Sequence, residues 1–125
     1  MPPKIHVSNA ELAVLQALWS TGPTGLEEVM AALPADVRWH ESTVKTLLSR
    51  LLKKGAVGAT RQGRRFRYSA RLTRDRWLAT ESKSLLDRFF GGRVSLLVAH
   101  FSQRQKLSAA DVADLRKLIA ELDDE

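Results

Sequence analysis

The sequence predicts a mainly α-helical fold with one small β-hairpin: three helices, the hairpin, then three more helices. Three observations carry that prediction. Apolar residues recur at helical spacing through most of the 125 residues, helix start signals stand ahead of them, and a glycine turn between short alternating runs breaks the pattern after Gly55. The chain is 44% hydrophobic, enough to build a core, but only 6% aromatic, so aliphatic helix packing supplies most of it.

Ser8 with Glu11 reads as a capping box, in which hydroxyl and carboxylate satisfy the free N–H groups of a helix start, and Val7 with Leu12 as its hydrophobic staple. That helix buries Leu12, Leu15, Leu18 and Trp19 and ends at Gly22-Pro23. Thr24 with Glu27 makes a second box before a short helix through Val29, Met30 and Leu33, stopped by Pro34. After a loop holding Trp39, a third helix runs from Glu41 to Lys54, closed by Gly55 in the left-handed conformation. Residues 56–61 and 65–70 flank a Gln62-Gly63-Arg64 turn as a hairpin, with Phe66 and Tyr68 alternating with arginines. Thr73 caps a long fourth helix carrying Trp77, Leu78, Leu85, Leu86, Phe89 and Phe90, ended by Gly91-Gly92. Residues 94–101 read as a short helix. Ser108 with Asp111, beside Leu107 and Val112, repeats box and staple for a last helix with Leu115, Leu118, Ile119 and Leu122.

Composition removes several classes of function. There is no cysteine, which excludes disulfides, thiolate metal sites and cysteine nucleophiles. The stretch MPPKIHVSNAEL lacks the apolar centre of a signal peptide, and no apolar run approaches the ~18 residues that span a bilayer, so a cytoplasmic protein without a membrane partner is expected. His6, His40 and His100 are scattered, with no second ligand at metal-binding spacing, so neither metal nor cofactor is expected. Ser42 and Ser49 have no arranged His-Asp partner, which leaves a hydrolase, or any enzyme, without support. Trp19 reads as a core residue, Trp39 as a core residue bracing the helix-wing junction with a groove contact as the alternative, His40 as a cap or DNA contact at the third helix, and Asp123-Asp124-Glu125 as a solubilising tail.

The net charge of +6 is unevenly placed. Up to Leu72 there are 11 Lys/Arg against 5 Asp/Glu; from Thr73 onward there are 9 against 9. Between Ser42 and Thr73 nine basic residues occur with no acidic one. A polyanionic partner fits this asymmetry, and on charge alone so does a solvated basic face.

The third helix narrows the choice. At about 100° per residue, Val44, Leu48, Leu51 and Leu52 share one side with Leu47 at its edge, while Ser42, Thr43, Thr46, Ser49, Arg50, Lys53 and Lys54 share the other. Small hydroxyl residues at a helix start let a backbone approach a groove and bond phosphates or base edges; Arg50 reaches guanine or phosphate, and Lys53 and Lys54 suit phosphates. A solvated amphipathic helix shows the same division. The hairpin that follows puts Arg61, Arg64, Arg65 and Arg67 around a tight turn, as a basic wing on a DNA backbone or minor groove does, although a charged edge that blocks aggregation also looks so. Helix, turn, helix and basic wing in this order are together far more specific than any part. They read as a winged helix-turn-helix domain, residues 1–72, for which double-stranded DNA is the expected partner.

The stretches NAELAVLQALW, STVKTLLSRLLKKGAV and GRRFRYS, followed by ESKSLLDRFFGG, closely resemble the BlaI/MecI penicillinase-repressor family over nearly the whole chain, residues 8–122. The resemblance implies a homodimeric winged-helix repressor on dyad operators with TACA/TGTA-like half-sites. On its motif, Thr43, Lys45, Thr46 and Arg50 contact the operator and Arg64 and Arg65 sit on the wing. Some relatives are inactivated by proteolysis, triggered by a membrane sensor for β-lactams, at an Asn-Phe bond in the dimerisation region. The matching position here is His100-Phe101, which keeps the phenylalanine and loses the asparagine. Copper-responsive relatives carry cysteine pairs that this chain lacks.

Residues 73–125 form the expected dimerisation domain. Trp77, Leu85, Leu86, Phe89, Phe90, Leu97 and Phe101, with Leu115 and Leu118, are more apolar surface than three short helices hide alone. Burying it against a symmetry mate contributes about 25 cal/mol per Å2; folding back onto the first domain is the alternative. Two readings of the regulator stay open. One is a repressor released by an inducing signal such as a sensor protease cutting near His100-Phe101, and the other is a ligand-responsive regulator switched by a small molecule.

Overall fold

The computed structural model describes residues 5–104 and 107–124; residues 1–4 of the amino-terminal stretch and Glu125 of the acidic tail lie outside the described residues. The elements follow the expected order: α1 (Asn9–Thr21), α2 (Leu26–Ala31), α3 (Glu41–Lys54), β1 (Val57–Gln62), β2 (Arg65–Ala70), α4 (Arg74–Phe89), α5 (Val94–Arg104) and α6 (Ala109–Asp123). The chain divides into two compact units, one ending at Thr80 and one beginning at Glu81. No helix among the described residues is long and apolar enough to cross a membrane.

In the first unit, α1 begins with the capping box: the Glu11 N–H donates to Ser8 Oγ at 3.1 Å and the Ser8 N–H to Glu11 Oε1 at 3.0 Å. At the end of α3, Gly55 takes φ 81°, its N–H bonding Leu52 O and that of Ala56 bonding Leu51 O, a Schellman closure. The core is Val14, Leu15, Ala17 and Leu18 of α1, Val29 of α2, and Val44, Leu47, Leu48 and Leu51 of α3, with Ala56 and Val57. Each such fully buried Leu or Val contributes about 1.5–3 kcal/mol relative to exposure.

Some local expectations are corrected. Leu47, placed at the edge of the apolar side, is buried, whereas Leu52 is 37% exposed. Residues 44, 47, 48 and 51 form the i, i+3, i+4, i+7 stripe, and Leu52 lies a further ~100° round the helix. Leu12 and Trp19 are half-buried. The second capping box is absent: Gly25 precedes α2 without a side-chain cap, and the backbone of Thr24 instead pairs with Tyr68 of β2, in bonds of 2.8 and 2.9 Å. Thr24 is thus spent as a strand residue, and α2 starts late and stops at Ala31.

The hairpin pairs Gln62 with Arg65, so its loop is the two residues Gly63-Arg64, with Gln62 inside β1. Positive φ (62°) at Gly63 and none at Arg64 is the pattern of a type II′ turn, whose twist matches that of the strands. Val57, Ala59 and Arg61 share one face with Ala70, Tyr68 and Phe66; the inner end of that face joins the core.

Trp19 Nε1–H donates to Leu72 O at 2.9 Å, and its ring lies 5.9 Å from that of Trp77. These bonds hold the first turn of α4 against α1, and the boundary between the units falls inside α4 rather than after Leu72. Thr73 Oγ1 caps α4, accepting from the Arg76 N–H at 3.2 Å.

The second unit comprises the rest of α4 with α5 and α6, the last capped by Ser108, which accepts from the Asp111 N–H at 3.0 Å. Here α5 runs three residues beyond Phe101. No residue of α4, α5 or α6 is buried.

Candidate nucleic-acid interface

The same helical geometry that buries the 44/47/48/51 stripe turns the other side of α3 to solvent. Ser42, Thr43, Lys45, Thr46, Ser49, Arg50 and Lys53 are all exposed. Thr46 Oγ1–H donates to Ser42 O at 3.0 Å, so its hydroxyl hydrogen is used within the helix and its oxygen lone pairs and methyl remain for a partner. Arg50 and Lys53 make no ion pair or hydrogen bond among the described residues, leaving both cations available. Lys45 Nζ lies 3.3 Å from Glu41 Oε1, one turn back. His40 occupies the N-cap position of α3 by its backbone, but its side chain makes no capping bond.

Lys54 departs from the expected role of phosphate ligand. Its ammonium donates to Glu11 Oε1 at 2.6 Å and to His6 O at 2.8 Å. Glu11 is the one buried charged residue among the described residues, and its Oε2 has no hydrogen-bond partner. Burial drives the Glu11 carboxyl upward, but the Lys54 bond, the Ser8 bonds and the Lys54 charge outweigh it and hold the group below its ordinary value. Lys54 therefore neutralises a buried carboxylate. The sequence held no sign of this pairing, because the partners are 43 residues apart and Glu11 already had a role in its capping box.

On the wing, Arg61, Arg64, Arg65 and Arg67 are all exposed. Arg61 folds back over the turn, its Nε–H donating to Gly63 O at 3.1 Å, while Arg64 forms the tip. Between α3 and the wing runs a groove of about 470 Å3, lined by Glu41, Lys45 and Ser49 of α3, Arg64 and Arg65 of the wing, and Glu27 and Glu28 of α2. Phe66, half exposed, and Tyr68 line it with rings 6.4 Å apart. Sequence reasoning had Phe66 and Tyr68 only as strand markers; their alternation was the available signal.

The expected dimerisation residues fall into three groups. Leu85, Phe89, Phe101 and Leu118 are exposed; Leu86, Phe90, Leu97 and Leu115 are half-buried; Trp77 packs on Trp19 in the first unit. Val94, Leu96, Ile119 and Leu122 are also exposed. The His100–Phe101 bond lies inside α5, with the His100 ring 6.0 Å from both Phe90 and Phe101.

A family model described as penicillinase repressor matches residues 7–121. The chain belongs to the penicillinase repressor (BlaI/MecI) family. Its members are transcriptional repressors with a winged-helix DNA-binding fold, not enzymes. The repressor is 30% identical over 116 residues to the penicillinase repressor of Bacillus licheniformis, covering 93% of this chain and 91% of that one. It is 23% identical over 114 residues to the methicillin resistance regulatory protein MecI of Staphylococcus aureus strain N315, covering 91% and 93%. Among solved structures it matches the DNA-binding domain of the repressor BlaI, with TM-score 0.53, 32% identity, and coverage of 61% of this chain and 93% of that one. It also matches the Bacillus licheniformis BlaI monomer in complex with the blaP half-operator, with TM-score 0.50, 34% identity, and coverage of 58% and 90%.

Proposed function

We propose that the repressor binds a palindromic operator as a homodimer, with α3 in the major groove and the wing on the adjacent backbone. The observation that carries this reading is the outward stripe of α3: hydroxyls at its start, free Arg50 and Lys53 at its end, and no buried member. Ser42, Thr43, Lys45 and Thr46 lie where a major groove meets the helix start, Arg50 reads a guanine or clamps a phosphate, and Lys53, Arg61, Arg64 and Arg65 supply phosphate contacts. The solved complex of monomeric BlaI with a half-operator supports DNA as the partner.

The dimer rests on the second unit. A helical unit of this size with no buried residue among its described residues, and with Phe89, Leu118, Ile119 and Leu122 more than half exposed, lacks an interior of its own. A second copy that covers these side chains provides one, and a two-fold axis doubles the half-site. In this reading residues 1–72 bind DNA, and of residues 73–125 those from Glu81 onward dimerise, the first turn of α4 belonging with the first unit. A cut at His100–Phe101 would detach α6 and its exposed leucines, so proteolysis there releases the operator by dissolving the dimer. Sedimentation together with binding to operator and random duplexes over a salt series tests the proposal. A monomer at micromolar concentration, or an affinity indifferent to salt, overturns it.

A further inference from the structure

Glu41 is anomalous on the face assigned to DNA. It is the sole carboxylate between Asp36 and Asp75, its side chain is 61% exposed, and it joins Glu27 and Glu28 of α2 in the lining of the wing groove. It lines both the wing groove and a shallower recess with His40, Ser42 and Lys45. A carboxylate turned toward a polyanion weakens binding by repulsion unless it meets a hydrogen-bond donor. The α3 dipole favours an acid in the first turn, and the i,i+4 spacing sets Lys45 Nζ 3.3 Å from it.

We infer that Glu41 and Lys45 act as one unit that selects a C·G base pair, Glu41 accepting from the cytosine N4 amino group and Lys45 donating to O6 or N7 of its guanine. This rests on the major-groove placement of α3 proposed above. The donors that bases present in the major groove are cytosine N4 and adenine N6. In a C·G pair the N4 donor lies beside the O6 acceptor, joined by a base-pairing hydrogen bond of about 3 Å. The Glu41–Lys45 pair presents acceptor beside donor at nearly that spacing, in opposite polarity. Guanine sets O6 and N7 together before an ammonium, whereas an A·T pair separates its two acceptors on either side of the N6 donor. The i,i+4 spacing keeps the two side chains neighbours on the helix surface before DNA arrives.

The test is selection of bound sequences from a random duplex library by the full chain, as wild type and as Glu41→Ala, Lys45→Ala and the double variant, followed by anisotropy on the selected sites. The wild type is expected to fix a C·G pair at one position of each half-site. Glu41→Ala and Lys45→Ala should each relax that same position by about tenfold. The double variant should be little worse there, with the other positions kept. Glu41→Ala should also bind random DNA more tightly, since it removes a negative charge. Unchanged preference at every position overturns the inference, as does relaxation at an A·T pair or at different positions in the two single variants. A wild type that selects a site while Glu41→Ala keeps the same preferences refutes the Glu41 role alone; a wild type that enriches no sequence refutes the DNA-reading proposal with it.

Discussion

Replacing Lys54 with methionine separates a structural lysine from a DNA-binding one. The substitution keeps the aliphatic stem and removes the ammonium that donates to Glu11 Oε1 at 2.6 Å. Glu11, with a side chain 3% exposed and Oε2 already unbonded, then keeps a buried charge without a counter-ion. Removing one partner of a fully buried pair costs about 3–5 kcal/mol. Lys54 is 37% exposed, so water screens part of the interaction and about 2 kcal/mol is expected. For a domain of this size that lowers Tm by about 10 °C, read by circular dichroism. The pH dependence gives the mechanism away. In the wild type the folded-state carboxyl lies below its unfolded value, so its contribution is complete above the unfolded pKa and is lost as pH falls through the folded one. In Lys54→Met the lysine's lowering effects are gone while burial and the Ser8 bonds remain, so the carboxyl rises relative to the wild type and acidification from pH 7 toward 4 narrows the gap between variant and wild type. In a Glu11→Gln background the same substitution should cost less than half as much. A loss equal at both pH values, or additive with Glu11→Gln, would refute the pairing.

The interface makes its own predictions. Arg50→Ala should weaken binding to a selected operator by about tenfold or more and flatten discrimination against random duplexes, measured by anisotropy. Lys53→Ala should weaken all duplexes alike and reduce the slope of log affinity against log salt by about one unit. Phe89→Glu, at a site 66% exposed, should leave thermal unfolding of the first unit unchanged while shifting sedimentation toward monomer. Gly55→Ala places a Cβ at φ 81°, where nothing lies within 4 Å; the cost is backbone conformation alone, about 1 kcal/mol in chemical denaturation.

The helices, their caps at Ser8, Thr73 and Ser108, and the glycine closing α3 were legible because each is a local signal within four residues of its effect. What escaped notice is long-range. Thr24 had the local chemistry of a cap, yet its backbone was claimed by Tyr68, 44 residues later, and a strand bond to β2 replaced the capping box. Lys54 had the position and charge of a phosphate ligand, and only the folded chain brings it to Glu11. Leu47 and Leu52 exchanged roles because a stripe of four contacts selects its own centre, a choice that depends on where α1 lies. The exposed face of α3 was readable for the converse reason: once the buried stripe is known, the opposite arc follows from helical periodicity.

The Thr24–Tyr68 bridge has a kinetic meaning. Hairpins that stand free must be ordered by whatever they grasp, and that entropy is subtracted from affinity. Here two backbone bonds of 2.8 and 2.9 Å tie Tyr68 of β2 to the link before α2, so in the binding mode proposed above the hairpin meets a duplex already ordered. Right and wrong sequences should then be captured at similar speed, and selectivity should reside in how long each is retained.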